Sequence, residues 1–155
     1  LVRTSILFAI IWVGISAQAT DIDVLFDRLK ADFISDAVQN PDSLARVPND
    51  LITMNPDGSW SDTDYASTQV ANWPSLEHVI RLGVMAGAYQ VSTNAYYHDP
   101  ALLAKTKAGL DFWYSTAPTS DNWWYRDIGK QLYLAPVCVL LRDELSQSQL
   151  EPSSF

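Results

Sequence analysis

The sequence predicts an all-α protein assembled from antiparallel helical hairpins. Apolar residues recur every third or fourth position in several separate stretches, which is the repeat of one helical face. No stretch sustains the apolar-polar alternation of a strand. Clusters of Asn, Asp, Pro and Ser punctuate the chain between those stretches, where hairpins need their turns. With 155 residues, 48% of them hydrophobic and 18% charged, the chain is too apolar for a disordered segment and of a size for one globular domain.

The first element, Leu1 to Ala19, places Arg3 ahead of an apolar run from Ile6 to Ile15, then the small-residue pattern Ala17-Gln18-Ala19. This is the layout of a secretory signal peptide cleaved after Ala19, because the run is short for a bilayer span and ends in a cleavage pattern. The expected product is a secreted, extracellular chain from Thr20 to Phe155, with no membrane segment after cleavage. From Asp21 to Val38, Leu25, Leu29, Phe33 and Ala37 repeat every fourth position, predicting a first helix whose N-terminal dipole suits Asp21 and Asp23. Residues 39–64 are rich in Asn, Asp, Pro, Gly and Ser and read as loop, with a turn at Asn55-Pro56-Asp57-Gly58 and a short helical turn near Leu51. A second helix begins after Asn72-Trp73-Pro74-Ser75, with Ser75 as N-cap, Glu77 in its first turn, and Val79, Leu82, Met85, Ala86 and Tyr89 as its buried stripe. Asp99 caps a third helix opened by Pro100, whose missing N–H costs nothing there, and Leu103, Thr106, Leu110 and Trp113 form its stripe. Pro118 and Thr119-Ser120-Asp121 break the chain before a fourth helix from about Asp127 to Leu145, in which Pro136 kinks the helix or shifts its register. The tail SQSQLEPSSF reads as frayed. An internal echo accompanies this pattern: Asn72-Trp73 and Asn122-Trp123, 50 residues apart, precede the second and fourth helices, as one two-helix unit per period would require.

A formal net charge of −8 argues against nucleic acid and anionic membrane surfaces as partners. The single cysteine, Cys138, lies in an apolar run and reads as a small buried hydrophobe. The glycines, from Gly14 to Gly129, form neither GxGxxG nor a phosphate-cradling loop, so no nucleotide cofactor is expected. Asp57, Asp62 and Asp64 beside Trp60 could serve as a glycosidase pair or bind calcium, but they lack the oxygen spacing of an EF-hand. A turn-forming loop is the favoured reading, and no metal is expected. His78 and His98 have no Ser, Cys or second His at a triad or metal-site spacing, so no catalytic residue is assigned.

The aromatics remain. Trp60, Trp73 and Trp113 read as core, since large rings bury large areas. Trp123, Trp124 and Tyr125 stand in a row, and helical neighbours point about 100° apart, so they cannot share one buried face. An exposed indole offers an electron-rich face to the polarised C–H groups of a sugar, and the Asn122 amide can donate to and accept from hydroxyls or a carboxylate. On these residues alone, core and sugar platform are equally good readings.

The segments DGSWSDTDYASTQVANWPSLEHVIRLGVMAGAY (57–89), YYHDPALLAKTKAGLDFWYSTAP (96–118) and SDNWWYRDIGKQLYLAPVCVLL (120–141), in this order, resemble the N-terminal α-helical domain of polysaccharide lyase family 8, which includes hyaluronate, chondroitin AC and xanthan lyases. The resemblance implies that residues 20–155 are the first part of an incomplete α/α toroid with a cleft for an anionic polysaccharide. It implies substrate contact by Asn122, Trp123 and Trp124, with Arg126 and Lys130 as the local basic contributors. The family reaction is a β-elimination: a base takes the C5 proton of a uronate and the glycosidic bond to C4 breaks, leaving an unsaturated sugar. The Asn, His, Tyr and Arg that perform it come from later helices, so this chain is expected to be a fragment or truncated product without activity of its own. The alternatives are a stand-alone carbohydrate-binding or helical interaction module using the same tryptophans, and an α/α glycoside hydrolase using Asp57, Asp62 or Asp64.

Overall fold

In a computed structural model, which describes residues 21–151, the chain is helical throughout apart from loops and an isolated antiparallel bridge between Met54 and Trp60. The predicted signal peptide lies outside the described residues. The helices are α1 (Asp21–Gln39), α2 (Pro41–Leu44), α3 (Val47–Thr53), α4 (Leu76–Gln90) and α5 (Pro100–Thr116), then a π-helical turn (Tyr125–Gly129) running directly into α6 (Lys130–Leu140), and α7 (Gln147–Leu150).

Helix α4 is the hub. It packs on α5 and α6 and also carries α1, α2 and α3. The predicted stripe Val79, Leu82, Met85, Ala86 and Tyr89 is buried, and so are His78, Arg81, Gly87 and Ala88. A helix with neighbours on several sides is covered nearly all round, which one-sided periodicity underestimates. Ser75 is a correction: it already has helical backbone angles and makes no side-chain cap, its hydroxyl donating instead to the Asp64 carbonyl at 3.2 Å. Asp99 does cap α5, accepting from the backbone N–H groups of Ala101 at 2.7 Å and Leu102 at 2.8 Å. The buried residues of α5 include Leu102, Thr106, Leu110 and Trp113, so Leu102 takes the inner place predicted for Leu103.

Helix α1 buries no residue fully, although its predicted stripe exists. Phe33 and Ile34 lean on the core, while Leu25 and Leu29 are exposed, because this helix packs chiefly on α6, α4 and α2 along one face. The fourth predicted helix begins four residues earlier than expected, at Trp123, and its register shift lies in the π-helical turn, N-terminal to Pro136. The tail is the other correction. Gln149 is only 5% exposed, its amide donates to Asp111 at 2.8 Å, and Tyr114 donates to its carbonyl at 3.0 Å, pinning residues 146–151 to α5. A polar run is held here by specific hydrogen bonds, a device that composition does not reveal.

The loop before α4 is as firmly held. Gly58 turns with φ +91°, and a Cβ there would lie 2.4 Å from the Ala108 carbonyl, so only glycine seats this turn against α5. Asp50, 2% exposed, lies between Arg46 at 2.9 Å and Arg81 at 3.7 Å. Arg81 also forks onto Asp62 at 2.8 and 2.7 Å and lies 5.2 Å from the Trp60 ring. Such a mutually paired cluster around a buried Asp50 and Arg81 fixes geometry more than it adds stability.

Candidate functional site

The site is built where the starts of α4 and of the helix at Trp123 meet. Asn122 is the N-cap: its Oδ1 accepts from the Trp124 backbone N–H at 2.9 Å, the bond that satisfies an otherwise orphan donor of the first turn. Its Nδ2 donates to the Val70 carbonyl at 2.7 Å, tying that turn to the loop before α4. Further bonds run alongside. Ser120 donates to the Gln69 carbonyl at 2.6 Å, the Asp121 N–H donates to the Thr68 carbonyl at 2.9 Å, and the Thr68 hydroxyl donates to Asp121 at 2.9 Å. The Asn122 amide keeps one N–H and one lone pair beyond these bonds, enough for a further polar contact.

This frame separates the aromatic row into three fates. Trp123 is 60% exposed. Trp124 is half-buried and meets Tyr125 edge-on, with centroids 5.3 Å apart. Tyr125 packs inward on Trp73 at 5.9 Å, Trp73 on Trp113 at 6.0 Å, and Trp113 on His78 at 5.5 Å. Trp124 is thus the outer end of a continuous aromatic spine. Trp60, Trp73 and Trp113 are core, as expected, and the buried indole N–H of Trp73 donates to the Ser67 carbonyl at 2.8 Å.

Nothing else among the described residues has the arrangement of a reaction centre. His78 is fully buried and bridges Tyr65 at 2.9 Å and the Gly109 carbonyl at 2.9 Å. A carbonyl can only accept, so Nε2 carries the proton and Nδ1 accepts from the Tyr65 hydroxyl. Burial holds its pKa down, at about 4, so the ring is neutral across the physiological range. His98 sits in a left-handed turn (φ 51°) and stacks on Tyr89 at 4.9 Å. Asp57 is held below the usual carboxylate range by its hydrogen bonds to Ser59, and Asp62 by its hydrogen bonds to Arg81. A glycosidase needs one acid with a raised pKa, and neither aspartate provides it. Asp64 caps its own turn through the Ala66 N–H at 3.1 Å. The half-buried Cys138 thiol is pushed up by burial and is no thiolate at neutral pH. No group of three or more His, Cys, Asp or Glu among the described residues could hold a metal ion.

The charge at the platform is balanced. Arg126 forks onto Asp127 at 2.8 and 3.0 Å on the surface, so this guanidinium is already paired. The sequence indicated Asn122, Trp123 and Trp124, and the structure places them at the first turn of one helix, with Trp123 exposed and Trp124 half-buried. It missed Val70, Ser120 and Asp121, which hold them. The only signal for these was their place just ahead of the two Asn-Trp copies.

Comparison with known proteins bears on the fold and the family. The family description "Polysaccharide lyase family 8, N terminal alpha-helical domain" matches residues 21–153. Chondroitinase-AC of Pedobacter heparinus is 28% identical over 128 residues, covering 83% of this chain and 18% of its own length. A solved structure of chondroitinase AC lyase, from a study of its oligosaccharide complexes, superposes with a TM-score of 0.70 at 26% identity, covering 81% of this chain and 19% of the other. The helical hairpins are therefore those with which such an α/α toroid lyase begins. The chain spans less than a fifth of the length of these relatives, and within that span it belongs to polysaccharide lyase family 8 as its N-terminal α-helical domain.

Proposed function

We propose that this chain supplies the aromatic floor of the polysaccharide cleft in a secreted lyase that cleaves uronate-containing polymers of the glycosaminoglycan or xanthan type by β-elimination. Asn122, Trp123 and Trp124 make the substrate contact, and the groups that abstract the C5 proton and assist departure of the C4 oxygen lie outside this chain. The observation that carries the reading is the exposed Trp123 indole, 60% accessible beside Trp124 on a turn locked by Asn122. A flat, exposed indole offers a sugar a large face and, with only two rotatable side-chain bonds, loses little conformational freedom on binding. With a net charge of −8 and Arg126 paired, attraction to an anionic polymer comes from stacking and amide hydrogen bonds rather than from charge. The leader-like Leu1 to Ala19 supports export.

The test is a tryptophan-fluorescence titration of the 155-residue chain with chondroitin, hyaluronan and xanthan oligosaccharides. The expected result is saturable binding that Trp123→Ala and Trp124→Ala both weaken while the helical circular dichroism stays unchanged. The chain alone should form no unsaturated product, followed by ultraviolet absorbance. Binding that ignores both substitutions would refute the platform.

A further inference from the structure

Gly129 occupies a helical position where glycine has no backbone reason to be. Its φ of −60° and ψ of −48° are ordinary right-handed helix values that any residue adopts. In a helix interior glycine is less stable than alanine, because it loses more chain entropy on folding. The space above it supplies the reason. A Cβ at Gly129 would lie 2.6 Å from Cζ3, 3.0 Å from Cε3 and 3.2 Å from Cη2 of Trp124, consecutive atoms of its six-membered ring. That ring therefore rests directly on the Gly129 backbone. Helical Cβ atoms point toward the N-terminus, which is where the indole lies.

The π-helical turn makes this contact. The Lys130 N–H returns to the Tyr125 carbonyl, five residues back rather than four. In a regular α-helix the residue stacked under position 124 would be Ile128. The wider turn brings Gly129 there instead and leaves Ile128 exposed. On the ring's flank, Tyr125 stands edge-on at 5.3 Å.

We infer that Gly129 is a positioning residue for the substrate platform: the missing side chain, delivered by the π-helical turn, lets the Trp124 indole lie against the helix and so sets the plane on which a sugar ring stacks. This inference rests on the platform reading above. It predicts an unusual signature. Gly129→Ala improves helix propensity yet displaces the indole, so helicity is kept or raised while binding falls.

The experiment is a double-mutant cycle on the 155-residue chain, titrated with a chondroitin oligosaccharide, with thermal unfolding measured on every variant. Gly129→Ala should weaken binding by about tenfold, and in a Trp124→Ala background it should cause no further loss, since it acts only through that ring. If Gly129→Ala is instead too unstable to titrate, Trp124→Ala should restore its stability by removing the clash. The inference is overturned alone if Trp124→Ala loses affinity while Gly129→Ala binds like wild type, if the two losses simply add, or if the double variant is as unstable as Gly129→Ala. Wild-type affinity in Trp124→Ala overturns this inference, and wild-type affinity in Trp123→Ala as well overturns the platform with it.

Discussion

The chain carries the dipeptide Asn-Trp at two equivalent places, and the copies have opposite roles. In Asn72-Trp73 the asparagine has a left-handed backbone (φ 51°) and the indole is swallowed to 2% exposure. In Asn122-Trp123 the asparagine caps a helix with its side chain, and the indole stands 60% exposed. Both copies sit at the same end of the bundle, joined through the Asn122 amide and the Val70 carbonyl. The difference lies in the residues C-terminal to each pair. After Trp73 the chain runs through Pro74 and Ser75 into the hub helix, whereas after Trp123 it enters a π-helical turn that sends Tyr125 inward to meet Trp73. The same residue pair is structural in one setting and a surface feature in the other, because the next turn decides which ring faces the core.

Substitutions should separate the copies sharply. Trp73→Ala removes a buried ring that touches both Trp113 and Tyr125, and should cost about 3–5 kcal/mol in a denaturant titration. It should also disturb the platform, since Tyr125 leans on this ring. The core side of the comparison has a pH signature of nearly the same size. An unfolded chain protonates its histidine near 6.5, whereas folded His78 stays neutral down to about 4. Its contribution to stability is therefore complete above about pH 6.5, and about 3 kcal/mol of stability is lost as the pH falls to 4. Unfolding curves of wild type and His78→Gln should show this, the variant being less stable at neutral pH but flatter across that range.

On the platform side the effects shrink. Asn122→Ala deletes both the cap and the tether to Val70, and should cost about 1–2 kcal/mol while weakening oligosaccharide binding. Trp123→Ala should change stability by no more than about 0.5 kcal/mol, as surface substitutions do, and its effect should appear in binding alone. If Trp123→Ala unfolds the chain as Trp73→Ala does, the distinction between the copies fails.

Much of this was legible in the residues. The stripe of α4, the Asp99-Pro100 start of α5, the turn at Gly58 and the burial of Trp113 come from periodicity and capping chemistry. The impossibility of burying Trp123, Trp124 and Tyr125 together was also readable, and it pointed to the site. Which ring turns inward was not, because that depends on a π-helical turn whose extra residue per turn leaves no mark on an α-helical pattern. Ser75 could not be distinguished from a cap, since the Asp64 carbonyl that takes its hydroxyl is brought there by tertiary folding. The anchoring of Gln149 by Asp111 and Tyr114 is equally non-local.

The central claim is that the surface indoles, and not the core ones, meet the polysaccharide. The most direct measurement tracks the tryptophan indole N–H signals by nuclear magnetic resonance while a chondroitin oligosaccharide is titrated in. Progressive, saturable shifts are expected for Trp123 and Trp124, with Trp60, Trp73 and Trp113 unmoved. A titration in which Trp123 and Trp124 stay still while oligosaccharide binds elsewhere, or in which no indole signal responds, would contradict it.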